Sequence, residues 1–135
     1  MNNDRFKFRV WDKINKKYDT MKTMYLEQNG GLCYPDDCGM TFPPEGSDFI
    51  IEQCTGLRDK NGKLIYEGDV VVRKFVFPGG HSISEKLVVC WEQERFLFDL
   101  RRISDNTTPF ECLLMREEEY QIIGHIHEPK WGIEK

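Results

Sequence analysis

The sequence predicts a mainly β fold, a small SH3-like or related β-barrel with an N-terminal β-hairpin and one short helix. Three observations carry this expectation. Apolar residues alternate with polar ones, or gather in β-branched blocks, over short segments of strand length. Gly, Asn, Asp and Pro punctuate those segments at close intervals, as in antiparallel meanders and barrels. A capping box with proline at the first helical position occurs at Thr108-Pro109-Phe110-Glu111. The Gly68-Asp69-Val70 opening of a strand is shared with SH3-like barrels, an analogy of fold that says nothing about activity.

The elements follow in order. In residues 5–11, RFKFRVW, Phe6, Phe8 and Val10 fall on one face and Arg5, Lys7 and Arg9 on the other, the alternation of a half-buried strand. A polar turn from Asp12 to Lys17 leads to Tyr18, Met21, Met24, Tyr25 and Leu26, so a hairpin is expected across residues 5–26. Residues 29–47, with Gly30, Gly31, Pro35, Gly39, Pro43, Pro44 and Gly46, read as a long loop. From Asp48 the pattern is a β meander. Phe49, Ile50 and Ile51 open a strand ending near Cys54, and the next long one spans 69–77, apolar on both faces. Leu87, Val89 and Trp91 alternate with Val88 and Cys90. A tight turn at Glu92–Glu94 then returns the chain through Phe96, Phe98 and Leu100, which predicts a hairpin with cross-strand aromatic pairs. A helix is expected over 109–116, and a last strand begins near Tyr120 and ends at Pro129. The organisation is a single domain: residues 1–28 as a strand or hairpin packed on the core, 29–47 as a loop, 48–128 as the barrel core, and 129–135 as a tail that frays unless Trp131 docks.

The most informative stretch is Thr55 to Val72, TGLRDKNGKLIYEGDVVV. Asn61-Gly62 suits a turn that needs positive φ, because glycine has no Cβ to clash and Asn tolerates the left-handed region. Gly68 and Asp69 form a second turn feeding a valine-rich strand, with Asp69 placed to accept backbone amides. Gly56, Asp59, Asn61, Gly62, Gly68 and Asp69 are therefore read as structural turn residues. Glu67 and Asp69 resemble an acid-base pair, but carboxylates at a turn more commonly cap amides.

Together with Lys7-Phe8-Arg9-Val10-Trp11-Asp12 and Ile122-Ile123-Gly124-His125-Ile126-His127-Glu128, this stretch resembles the YopX protein family of bacteriophages and prophages. The pattern is carried by Thr55, Gly56, Leu57, Asp59, Gly62, Ile65, Tyr66, Glu67, Gly68 and Asp69. The resemblance implies a small β-rich phage protein, from a family without an established biochemical activity.

Composition narrows the function classes. At 135 residues and a formal charge of -4, the chain is a poor candidate for a dedicated duplex DNA binder, which needs clustered Lys and Arg. No hydrophobic run reaches membrane-spanning length and the N-terminus lacks a signal-peptide core, so the expected location is the cytoplasm of the host bacterium. Five cysteines, an odd number without an export signal, read as reduced thiols rather than a disulfide framework.

Candidate chemistry is sparse. Cys33 and Cys38 in the loop, with His125 and His127 in the last strand, are residue types zinc accepts, but their spacing matches no recognised finger or ribbon. Cys54 and Cys90 read as small buried hydrophobes, and the loop serines lack a nucleophile elbow. Gly79-Gly80 lacks the Lys-Ser or Lys-Thr of a phosphate loop. No catalytic, cofactor-binding or metal residue is assigned, and no cofactor is expected. The expected role is a non-enzymatic binding or interaction module, meeting a protein partner or another copy of itself. The alternative is weak single-stranded nucleic-acid binding by Arg5, Lys7, Arg9, Tyr18 and Tyr25, which offer phosphate contacts and stacking faces. An enzyme is the least favoured class.

Overall fold

A computed structural model describes residues 3–19, 24–35, 41–42, 48–94, 97–105 and 120–133. The chain is mainly β, with a sheet curled into a half-barrel. It divides into two compact units, one of residues 1–8 and 53–135, the other of residues 9–52. The helix expected over 109–116 lies outside the described residues. The 310 turns at Asp4–Phe6 and Pro129–Trp131 are described.

Strand β6 (Phe49–Arg58), which belongs to the larger unit from Gln53 onward, reaches Arg58 rather than ending near Cys54. It pairs with β7 (Leu64–Tyr66) across a bulge between Cys54 and Arg58, where Gly56 holds φ +83°. A Cβ at Gly56 would stand 3.1 Å from Cβ of Arg5, so both conformation and space favour glycine there. The main sheet has the order β10-β9-β8-β11, built from β8 (Asp69–Val76), β9 (Ser82–Glu92), β10 (Leu97–Arg102) and β11 (Tyr120–His125). Every neighbouring pair is antiparallel. The expected β9–β10 hairpin has Trp91 opposite Phe98, their rings edge-to-face at 5.2 Å.

One face of this sheet carries the core. Val71 from β8, Leu87 and Val89 from β9, Leu100 from β10 and Tyr120 from β11 are buried together with Ile65. Because strand side chains alternate, the intervening Val88, Cys90 and Arg101 face the other way. At its base β8 is buried on both faces, through Val70 and Val71, as its composition predicts. Its far end is not: Val76 is 69% exposed and Ile83 opposite this end is 50% exposed, because the apolar pattern there outruns the rest of the sheet.

In the smaller unit, β1 (Phe8–Asp12) pairs with β2 (Lys17–Tyr18). The hairpin expected over 5–26 is thus shorter. Arg5 and Phe6 belong to the 310 turn, where the Asp4 carboxylate meets Lys7 Nζ at 2.8 Å and Arg58 Nη2 at 3.1 Å. Tyr25 lies in β3 (Tyr25–Leu26), which pairs instead with β4 (Leu32–Pro35); β4 in turn pairs with β5 (Thr41–Phe42). The long loop expected over 29–47 therefore contains strands. The reason is local: Gly30 at φ +87° closes a turn in which Glu27 N donates to Gly31 O at 2.8 Å. Its glycines serve a hairpin, and Leu32 and Cys33 extend from it.

Candidate functional site

The larger unit holds a groove of about 620 Å³ on the sheet face opposite the core. Val88 and Cys90 of β9 and Arg101 of β10 line it, brought there by the alternation that sends Leu87, Val89 and Leu100 to the other side. Gly68 forms part of the wall and links it to the C-terminal segment. Its N–H donates to Val89 O and its carbonyl accepts from Ile126 N, each at 2.8 Å. Gly68 holds φ +85°, which is why a glycine occupies this junction.

The opposite wall is the 310 turn at Pro129–Trp131 with Ile133. Glu128 fastens it: Oε1 accepts from His125 N at 2.8 Å and from Trp131 Nε1 at 3.4 Å. Its pKa is held below the usual glutamate value, chiefly by the His125 amide, against an opposing effect of burial. Gly124 leaves the room for this latch. A Cβ there would collide with Glu128 Oε1 and come within 2.7 Å of Trp131 Nε1.

Arg101 lies on the groove face of β10 beside Val88, Arg102 on the other face beside Leu87, and two lysines stand by the Trp131 wall. Arg101 Nη2 donates to Glu92 Oε2 at 3.0 Å, and Arg102 Nε to Glu85 Oε1 at 2.9 Å. Lys86 Nζ and Lys130 Nζ stand 5.5 and 4.8 Å from the centre of the Trp131 ring. Each bond to a carboxylate fixes a guanidinium in place. Arg101 Nε is buried and has no acceptor among the described residues. Trp131 gives the groove an aromatic wall, while the Trp91 ring lies with Phe98 on the other face of the sheet.

Cys90 is the one nucleophile type here, and its thiol is pushed up by burial, with Asp99 adding to the rise and Arg101 opposing it. A thiol so shifted is protonated near neutral pH and a poor nucleophile. It donates to Asp99 O at 3.7 Å. The groove offers recognition chemistry, anion-directed donors beside aromatic and aliphatic walls.

The residues read from sequence as possible nucleic-acid or partner contacts are not among those lining the groove. Arg9 and Tyr18 come together on Glu52, which is 2% exposed: Arg9 Nε and Tyr18 Oη each donate to its Oε1 at 2.8 Å, and the guanidinium lies 4.4 Å from the tyrosine ring centre. Lys7 pairs with Asp4, Arg5 lies over the Phe6 ring at 4.6 Å, and Tyr25 is exposed on β3. The five thus occupy a turn, a hairpin and a separate strand pair rather than one strand face. The turn residues sit where turn chemistry needs them. Asp59 Oδ1 accepts from Asn61 N and Lys63 N, both at 2.9 Å, Gly62 holds φ +81°, and Asp69 Oδ2 accepts from Tyr66 N at 2.8 Å. Asp69 thus caps an amide, while its sequence neighbour Glu67 lines the groove.

Cys33 is buried, and its thiol is pushed up by burial and by nearby Glu27. Cys38 lies outside the described residues, and the His125 and His127 rings are tilted 50° to each other with centres 5.7 Å apart. Among the described residues no group of three or more His, Cys, Asp or Glu side chains gathers for a metal. Among them, too, no helix is long and apolar enough to cross a membrane. Sequence reasoning missed Arg101, Arg102 and Glu128 as site residues. Two adjacent arginines closing β10 after Leu97, Phe98, Asp99 and Leu100 were the available signal.

A family model described as YopX protein matches residues 7–130. No curated protein matches the chain. Among solved structures it is similar to the crystal structure of protein EF1440 from Enterococcus faecalis, with a TM-score of 0.57 and 24% identity over 95% of this chain and 97% of that one. That likeness is one of fold.

Proposed function

From the premise that this chain belongs to the YopX protein family, we propose that it is a phage- or prophage-encoded, non-enzymatic binding module of the host cytoplasm, and that its binding surface is the groove of the larger unit. The observation that carries this reading is the groove's lining. Arg101, Trp131 and aliphatic side chains converge on one concavity of a size typical for ligand sites, with no activated nucleophile among them. The nucleic-acid alternative draws less support, since Arg5 lies in a 310 turn and Tyr25 in β3 rather than on one strand with Arg9.

The test is capture of tagged protein from host cells, with co-purifying proteins and small molecules identified by mass spectrometry. Wild type is compared with Trp131→Ala and with Ile133→Asp, both changes in the groove wall contributed by the C-terminal segment. A species retained by wild type and lost from both variants is the expected result. Equal retention by all three proteins removes the groove from the reading, and a captured species released chemically altered overturns the non-enzymatic role.

A further inference from the structure

We propose that a second copy of this chain pairs with the outer edge of β9 at His81–Glu85, in a two-fold antiparallel arrangement that joins two main sheets into one. This goes beyond the groove, whose lining on β9 begins further along at Val88. β8 and β9 run on together past the rest of the sheet. β11 reaches β8 only as far as Arg73, and β10 reaches β9 only as far as Leu87, after which Ile103 N donates to Lys86 O at 3.4 Å. The ribbon beyond, Lys74 to Val76 with Ser82 to Glu85, is paired only with itself among the described residues. Backbone groups alternate in direction along a strand. In and beside β9, Val89 O and His81 O accept from Gly68 and Phe77, which flank β8, whereas Lys86 O faces the β10 side. Ser82 and Ser84, in step with Lys86, therefore turn their N–H and C=O groups outward, where no strand meets them among the described residues.

An open strand edge invites another strand, and natural proteins block such edges with charge, proline or cover. Ser82, Ile83 and Ser84 have none of these: all three are exposed and uncharged, whereas Lys74 guards the other edge of the ribbon. Apolar surface lies in the same place, since Val76, Phe77 and Ile83 are exposed. A lone two-stranded ribbon is marginal in water, and an added strand satisfies its backbone and covers its side chains together. Self-complementarity selects a second copy over a foreign strand. With Ile83 opposite Ile83 of the second copy, Ser82 meets Ser84 and His81 meets Glu85. Ser82 and Ser84 both point their backbone groups outward, so their pairs are hydrogen-bonded ones. The Ile83 pair falls at the intervening position, where side chains come closest. No like charges face each other: Glu85 gives Oε1 to Arg102 Nε and meets the imidazole of the other copy. The ends of the contact are also clear. Gly80 of the second copy stands opposite Lys86, and a Cβ at Gly79 or Gly80 would meet nothing within 4 Å. A contact of His81–Glu85 on each side is small, so the dimer is reversible rather than permanent.

The experiment follows the full chain by sedimentation velocity from about 10 µM to about 1 mM, with amide hydrogen exchange measured at both ends of that range. The expected result is a monomer–dimer equilibrium with its Kd inside the range. Exchange at Ser82 and Ser84 slows at the higher concentration, while Lys74 and Val76, on the other edge of the ribbon, do not change. Ile83→Lys, at an exposed position, weakens the dimer about tenfold or more by setting two ammonium groups opposite each other. Ser84→Pro removes an outward N–H that the β8–β9 ladder does not use, and abolishes pairing. Ile83→Lys carries the test where Ser84→Pro does not fold. Val76→Lys leaves the dimer unchanged. A chain that stays monomeric up to about 1 mM overturns the proposal. So does a dimer that keeps its affinity in Ile83→Lys, one weakened equally by Val76→Lys, or protection that appears away from Ser82 and Ser84. A foreign polypeptide held at this edge by a monomeric chain overturns it as well.

Discussion

Asp59 does two jobs with one carboxylate. Oδ1 closes the β6–β7 turn by accepting the amides of Asn61 and Lys63, and Oδ2 accepts the Ile122 amide of β11 at 3.1 Å, a partner 63 positions along the chain. Burial of the side chain is the largest single influence and raises its pKa, but the amides of Ile122, Lys63 and Asn61 together outweigh it and leave the pKa lowered. A lowered folded-state value means that the ionised form stabilises the fold above the unfolded pKa, about 4, and that this contribution is lost as pH falls through the lower folded value. Asp59→Asn exchanges one acceptor oxygen for a donor. It is therefore expected to lower stability by about 1–3 kcal/mol at pH 7. Urea unfolding of both proteins at pH 7 and pH 3 checks this: the gap between them should narrow at pH 3, and a constant gap contradicts the charge-based account.

At the scale of an element, the last strand and the 310 turn after it act as one piece because Gly124 has no side chain. Ile122 is paired with Val71 and Gly124 with Val70, so a bulge intervenes, and Glu128 folds back over the glycine to hold the His125 amide and the Trp131 indole. Gly124→Ala places a methyl where Glu128 and Trp131 now lie. Overpacking of this kind costs about 1–3 kcal/mol, relieved here by release of the turn. The expected readout is a shifted Trp131 indole N–H resonance that exchanges faster with solvent. An unchanged Trp131 signal would show that the space at Gly124 is not what seats the turn.

Across the whole molecule, burial is unevenly distributed between elements. The cluster of Ile65, Val71, Leu87, Val89, Leu100 and Tyr120 lies in the larger unit, whereas β3 is a two-residue strand with both Tyr25 and Leu26 exposed. Amides that open only with global unfolding belong to buried, multiply paired strands, and short exposed strands open locally. Hydrogen exchange is expected to be slowest at Val71, Leu87 and Val89 and fast at Leu26. Comparable protection at these positions would contradict this uneven distribution of burial.

Much of the fold was legible before any coordinates. Alternation marked the β9–β10 hairpin, and Gly62, Gly68, Asp59 and Asp69 announced their turns, because backbone conformation and capping are decided within a few residues of the chain. Gly56 instead serves a bulge inside β6. The same local signals misassigned 29–47, where turn glycines belong equally to a loop and to a hairpin. They also gave Arg5, Lys7 and Arg9 a shared strand face, since pattern alone does not reveal that Asp4 folds the chain into a 310 turn or that Glu52 holds Arg9. The groove was out of reach for a further reason. Arg101, Cys90, Gly68 and Trp131 are distant in sequence and meet only once the sheet has paired and the C-terminal segment has closed against it. The sequence by itself determined the β architecture and its turns, through local conformational preference and burial. Which charges are neutralised and which face a concavity was decided by tertiary structure, because that depends on partners brought together by pairing across the sheet.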